Sequence, residues 1–292
     1  MLNKIHWHYF VAGLFVYIAG KLLYFLYSNK TKVKGRNLVC ADETTMDIRA
    51  EVKDVQEDGD DAEDDWIPSL GDVKHKQLEF NSLSEEEMVV RAKEYYKLLE
   101  GRRTVRSFSS RSVSKEVIRN IIKSAGTAPS GAHTEPWTYV VVSSAEIKEQ
   151  IRYIIEEEEE INYKKRMGKV WTGDLKPFRT NWIKPYLTEA PYLILAFKQT
   201  HSLRADGKKK MHYYSEQSLC ISVGLLISAI HYAGLVSLTS TPLNCGPALR
   251  SLLGRPMSEK LAILLPVGYP HEDCEVPDLK RKPLDEIMVE FD

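Results

Sequence analysis

One stretch, residues 124–137 (SAGTAPSGAHTEPW), limits what this chain can fold into more than any other. Before it, Val117, Ile118, Ile121, Ile122 and Ala125 recur at helical spacing. After it, residues 138–142 form an apolar run of strand length. Gly126 stands where a helix C-cap belongs, and Pro129 and Pro136 bar regular structure between the two. The chain must leave a helix, cross irregularly and enter a core strand. Such a crossing, rich in small residues and backbone N–H groups, is either a plain connection or a ligand loop.

The helix–strand alternation continues on both sides. Ser84 with Glu87 has the form of a capping box, and the helix it opens carries Met88, Ala92, Tyr95, Tyr96 and Leu99 on one face. A second helix spans residues 114–126. A long third helix is expected over 145–167, with Ile147, Ile151, Ile154, Ile155 and Ile161 inward. Residues 191–198 read as a buried strand. Leu219, Val223, Leu226, Ile227 and Ile230 mark a helix closed by Gly234, and 235–241 and 261–267 complete the strands. This predicts an α/β (α+β) architecture with helices on both faces of a central sheet. Periodicity leaves the strand order open.

With 292 residues and 43% apolar content, the chain can bury a sizeable core, as one large domain plus appendages or as two domains. A net charge of −1 and the lack of an extended basic face exclude a nucleic-acid binder. Four scattered cysteines without a CxxC pair, and eight histidines without HExxH-like spacing, give no metal site and no dense disulfide framework. Reduced thiols in a cytosolic setting follow.

Residues 9–27 form a mostly apolar run broken only by Lys21, with aromatic residues at both ends. As a helix they would span roughly 28 Å, about one bilayer core. No small-x-small cleavage site follows Ser28, and the next residues are basic, which favours a retained membrane anchor over a signal peptide. Lys30, Lys32, Lys34 and Arg36 outnumber Lys4, so the positive-inside rule puts the body of the chain on the cytosolic side. Residues 41–65 are acidic and aperiodic, as a disordered tether is. The division expected is an anchor with flanking basic residues at 1–34, a tether at 35–78 and a folded body at 79–292.

Three constellations carry chemistry. Arg102, Arg103 and Arg106 place three cations in five residues, which suits phosphate oxygens or simply a basic surface turn. Thr239, Ser240 and Thr241 end a strand before Pro242, where α/β folds bind ligands, and a β-branched strand end is the plain alternative. Glu159 and Tyr163 are four apart and share a helix face. Glu156 to Glu160 are all glutamate, so the residues alone do not single out Glu159. Cys245 beside the third strand invites a nucleophile reading, but no histidine sits at a motif spacing to activate it.

GTAPSGAHTEPW, EEEEEINYKKRMG, RTNWIK, TPLNCGP and VPDLKRKPLD stand in this order in the chain, and with them residues 79–289 resemble the FMN-dependent nitroreductase family. The resemblance is strongest to those members that reductively remove iodide from mono- and diiodotyrosine for iodide salvage. It implies a mixed central sheet, an intertwined homodimer with FMN at its interface, and a catalytic domain at 79–292. It assigns FMN to Arg102, Arg103, Thr104, Val105, Arg106, Pro129, Ser130, Thr239, Ser240, Thr241 and Arg281. Thr241 is the catalytic residue it implies, through a hydrogen bond to flavin N5 that favours one-electron steps over hydride transfer. It assigns the substrate to Ala132, Glu159, Tyr163 and Lys184: an anion for the ammonium, a cation for the carboxylate, and the Ala132 N–H for the phenolate. Residues 156–184 then form a lid ordered by substrate. Thr104 stands where serine is common and Ser240 where threonine is common; neither change removes a hydroxyl. NADPH is the ultimate reductant expected, through a separate reductase, because no GxGxxG follows a strand. The anchor implies contact with lipid of a plasma or vesicle membrane. A generic NAD(P)H-dependent nitro- or quinone reductase is the alternative, and a non-catalytic flavin-binding adaptor a third reading.

Overall fold

The computed structural model of the chain describes residues 70, 73–203 and 207–291. Contacts divide the chain into Met1–Trp66 and Ile67–Asp292, and every element below belongs to the second unit. The expected anchor at 1–34 and most of the expected tether at 35–78 lie outside the described residues, among which no helix is long and apolar enough to cross a membrane.

Helix α1 (Glu85–Glu100) begins as its capping signal requires: the Glu87 N–H donates to Ser84 Oγ at 3.3 Å. Helix α2 (Lys115–Ala125) is capped by Ser114 and Gly126, and buries Ile118, Ile121 and Ala125. After the proline-rich crossing comes strand β1 (Trp137–Val142). Helix α3 (Ala145–Ile161) follows, then a five-residue π turn at Asn162–Arg166 and helix α4 (Gly168–Leu175). A short helix α5 (Tyr186–Glu189) leads into strand β2 (Tyr192–Gln199), whose first six residues are buried. A hairpin of β3 (His201–Leu203) and β4 (Lys209–Met211) precedes the long helix α6 (Ser215–Tyr232). Strand β5 (Val236–Ser237), helix α7 (Gly246–Leu252) and strand β6 (Glu259–Gly268) complete the body.

The main sheet has the order β1-β2-β6-β5, with every strand pair antiparallel. A parallel component, expected of a mixed sheet, comes from an isolated bridge between Thr104 and Ser237. Two apolar layers cover the sheet, as the alternation of elements predicts. One joins Ile151, Ile155, Tyr186, Leu187 and Leu249 to Leu193, Leu195 and Phe197. The other joins Ile118, Ile121, Leu219, Val223, Leu226 and Ile230 to Ile194, Ala196 and Leu265. Successive β2 residues alternate between the layers, the period of two that puts neighbours on opposite faces.

Three expectations change. The third helix stops at Ile161 rather than 167, and Ile161 is exposed, because the π turn puts the fully buried Asn162 at the inward position instead. Regular strand pairing in the 235–241 run is limited to two residues, and Ser240 rejoins the sheet only through a bridge to Leu264. No residue of α1 is buried, although it carries an apolar face: Met88, Val89, Tyr95 and Tyr96 are all exposed.

Candidate active site

The five glutamates divide by the face of α3 on which they fall. Glu157 accepts from the Tyr153 hydroxyl, and Glu160 pairs with Lys164 at 2.5 Å, both on the exposed side. Glu158 pairs with Arg166. Glu156 and Glu159, three apart and therefore neighbours on one face, turn inward. Glu156 Oε1 receives the Lys184 backbone N–H at 2.6 Å while pairing with Arg152 at 2.7 Å. Glu159 Oε2 lies 3.8 Å from Lys184 Nζ, and the two side chains are only 13% and 8% exposed. Glu159 is thus the glutamate that meets a buried cation, a distinction the run of identical letters hides.

Lys184 is held from several sides. Its ammonium donates to the Asn181 carbonyl and to Thr180 Oγ1, and it sits 5.3 Å from the centre of the Tyr163 ring. Burial holds this ammonium below lysine's ordinary pKa, against the opposing pull of Glu159, and the Arg106 charge lowers it further. The Tyr163 phenol, packed edge-on against Trp182 at 6.0 Å, is raised by burial and then by Glu159. Tyr186 is raised strongly by burial, offset by a hydrogen bond with Ser240 and by Arg106. Arg106 and Ser240 therefore lie within electrostatic or hydrogen-bonding reach of the Glu159–Tyr163–Lys184 group.

The backbone explains this meeting. The Val105 N–H donates to the Ser237 carbonyl at 3.2 Å, and Thr104 bridges Ser237, so the Arg102–Arg106 segment runs beside β5. Ser240 exchanges both backbone hydrogen bonds with Leu264, which carries Thr239, Ser240 and Thr241 to the same region. Arg281 returns from the C-terminal segment, its two Nη atoms donating to the Glu100 and Arg102 carbonyls at 2.9 Å each. Arg103 donates to the Pro277 carbonyl. Three guanidiniums on one stretch of backbone, with that of Arg281 tied to it, offer the planar forks that suit a phosphate dianion.

The crossing at 126–136 has the geometry of a built site rather than a plain connection. Ala132, His133 and Glu135 have φ of 48°, 51° and 44°, a left-handed conformation costly for side-chain-bearing residues. The loop is pinned by Glu135 N–H to Ser130 Oγ at 2.9 Å and Gly131 N–H to Ser218 Oγ at 3.4 Å. At Gly131 a Cβ would come within 2.9 Å of the Tyr213 carbonyl oxygen, so only glycine fits that approach. Among the described residues no acceptor takes the Ala132 N–H, and Ala132 and Pro129 are exposed. This loop attaches to α6 and the layer containing Ile118 and Leu219, whereas the Glu159–Lys184 pair extends from the opposite layer. No hydrogen bond among the described residues joins the two.

Two groups escaped the sequence reading. Glu156 fixes the Lys184 backbone, and Asn162 touches Glu159 and the loop after Thr241. An asparagine at the end of a strong helix pattern was the only available signal for the second. Among the described residues no group of His, Cys, Asp and Glu could hold a metal ion.

Cys245 is 1% exposed and burial pushes its thiol up to about 12, so it is protonated at neutral pH and not a nucleophile. Iodoacetamide at pH 8 is expected to leave Cys245 of the native protein unmodified. Rapid carbamidomethylation, read by peptide mass spectrometry, would reveal an accessible thiolate instead.

Comparison with known proteins agrees with this geometry. Residues 99–269 match the model of the Nitroreductase family. The chain is 61% identical over 226 residues to iodotyrosine deiodinase 1 of Homo sapiens, covering 77% of this chain and 78% of that one. It is 51% identical over 280 residues to iodotyrosine deiodinase of Hydra vulgaris, covering 96% of each. A crystal structure of oxidized iodotyrosine deiodinase bound to FMN and 3-iodo-L-tyrosine superposes with a TM-score of 0.59 at 31% identity, covering 68% of this chain and 98% of that one. With an inward Glu159–Lys184 pair set beside an arginine-rich backbone turn on a matching fold, the chain belongs to the nitroreductase family, on its iodotyrosine deiodinase branch.

Proposed function

We propose that the protein reductively dehalogenates mono- and diiodotyrosine, releasing tyrosine and iodide. The observation that carries this is the buried Glu159–Lys184 pair, 3.8 Å apart, with Arg106 near enough to depress the Lys184 ammonium further. An amino-acid zwitterion presents an ammonium and a carboxylate, and these two side chains meet each with its opposite charge. Tyr163 lays its ring 5.3 Å from the Lys184 ammonium, and its hydroxyl is hydrogen-bonded with Thr180. The Ala132 N–H suits the halotyrosine phenolate.

FMN would be held through its phosphate by Arg102, Arg103, Arg106 and Arg281, with the Thr104 and Val105 backbone, Pro129, Ser130, Thr239, Ser240 and Thr241 along the rest. When bound and reduced it supplies the two electrons that, with one proton, replace the ring C–I bond by C–H and free iodide. The side chains of this protein do the rest: Glu159 and Lys184 orient the substrate, Thr241 offers its hydroxyl, and residues 156–184 exclude water. A generic quinone or nitro reductase is less well matched, since a flat quinone needs no zwitterion clamp.

The functional unit we propose is a homodimer. Its support is that no hydrogen bond among the described residues ties the Ser130–Ala132 loop to the Glu159–Lys184 clamp, and a second copy would bring its own loop to the clamp. The exposed apolar residues of α1 and of the C-terminal segment, among them Leu284, Ile287 and Val289, add surface that such a partner would cover. We further propose anchoring by residues 9–27 with the body in the cytosol, and NADPH as the ultimate donor through a separate reductase.

The test is to purify the chain lacking residues 1–34. It should elute as a dimer, show a flavin spectrum and release iodide from diiodotyrosine with dithionite as reductant. A folded, flavin-loaded protein that releases none would overturn the proposal.

A further inference from the structure

Asn162 is 0% exposed and uses its full hydrogen-bonding capacity. Its Nδ2 donates to Glu159 Oε1 and to the Leu243 carbonyl, each at 3.3 Å. Its Oδ1 accepts from Arg166 Nη1 at 2.9 Å and from Asn244 Nδ2 at 3.3 Å. Two acceptors on one side and two donors on the other allow only one orientation of the amide. Asn162 also opens the π turn, its carbonyl receiving the Met167 N–H five residues on at 2.9 Å. Such one-turn departures from α-helix are frequent at functional sites. Leu243 and Asn244 follow Thr241 by two and three residues, and Asn244 holds a left-handed backbone at φ 63°.

We propose that Asn162 is a positioning residue that fixes the Glu159 carboxylate relative to the 239–244 loop, and so selects zwitterionic substrates over plain halophenols. Lys184 contacts Oε2 of Glu159 while Asn162 holds Oε1, so the carboxylate can rotate toward neither. The same amide ties that carboxylate to the segment that carries the Thr241 hydroxyl. The distance from ammonium site to reacting ring is thereby set by one buried side chain. A neutral amide does this without adding a second negative charge beside Glu159. The inference rests on the clamp reading given above.

The experiment compares diiodotyrosine with 2,6-diiodophenol, which has the same ring and no zwitterion, by flavin fluorescence titration of the FMN-loaded protein. Asn162→Asp keeps the shape but replaces both donors by acceptors. It should weaken diiodotyrosine binding at least about tenfold, change diiodophenol binding by less than about twofold, and leave FMN occupancy as it was. Asn244→Gly tolerates the left-handed backbone and removes only one bond to Asn162. It should weaken diiodotyrosine a few-fold in the same selective manner, and it decides the matter if the first variant does not fold. Equal losses for both ligands, or an unchanged ratio in the variant that folds, would overturn the role. Unmodified protein without preference for diiodotyrosine over diiodophenol would sink the clamp reading itself, and this inference with it.

Discussion

Lys184→Gln is expected to raise the KM for diiodotyrosine by roughly ten- to a hundred-and-fifty-fold while leaving reduction of a small nitroaromatic nearly intact. A charge-assisted hydrogen bond in a closed site is worth about 1.5–3 kcal/mol, and each 1.4 kcal/mol is a factor of ten. The structure adds to this. Lys184 is the cation beside Glu159, and both side chains are almost fully covered. Removing the ammonium leaves a buried carboxylate uncompensated, which costs more than the lost contact alone. A nitroaromatic carries no zwitterion and does not call on this pair. Steady-state kinetics with both substrates decide it. Equal damage to the two would mean that Lys184 holds the fold or the flavin, and the zwitterion clamp would have to be given up.

Arg281→Ala, and separately Arg102→Ala, should yield largely flavin-free protein. Each removes a guanidinium from the proposed phosphate-binding set, at about 1.5–3 kcal/mol. Arg281 has a second effect. Its fork onto the Glu100 and Arg102 carbonyls fastens the C-terminal segment to the end of α1 and to the backbone of the arginine turn itself. Loss of that fork frees Arg102 as well, so the Arg281 variant should bind FMN at least as poorly as the Arg102 one. Arg281→Lys keeps the charge but cannot bridge two carbonyls with one planar group, and should recover only part of the occupancy. The ratio of visible to protein absorbance after purification measures this directly. Normal FMN content in both alanine variants would refute the assigned pocket.

Much of the architecture was written in local signals. Ser84 and Ser114 cap helices where their side chains predict, because capping needs only residues within one turn, and Gly126 closes its helix in a right-handed conformation that does not use glycine's freedom. The apolar run at 191–198 became the central strand, paired on one side with β1 and on the other with β6. The strand pair at 201–203 and 209–211 and helix α7 went unread, since three-residue strands and a helix begun by Gly-Pro carry little periodicity. At the site, the basic cluster and the threonine-rich strand end were visible as types of residue. Which of five glutamates turns inward was not, because that depends on Lys184, twenty-five positions away, and on the π turn that begins at Asn162. The exposed face of α1 shows the converse: an apolar stripe announces burial, and the cover need not come from the same chain.

The three left-handed residues of the 126–136 loop have a consequence for how the site comes into being. At about 1–2 kcal/mol apiece, Ala132, His133 and Glu135 hold a conformation that an isolated peptide of this sequence would abandon. Beside local bonds to Ser130, remote contacts keep them there: Ser218 on α6, the Tyr213 backbone against Gly131, and the Gln199 N–H on the Pro136 carbonyl. The loop is thus a spring wound by the finished fold, and the Ala132 N–H acquires its direction only when the helix and strand pair beneath are seated. Ordering is spent during folding instead of at each encounter with ligand. Recognition at this loop is therefore an inheritance from the global transition, and a half-folded chain has no weakened version of it.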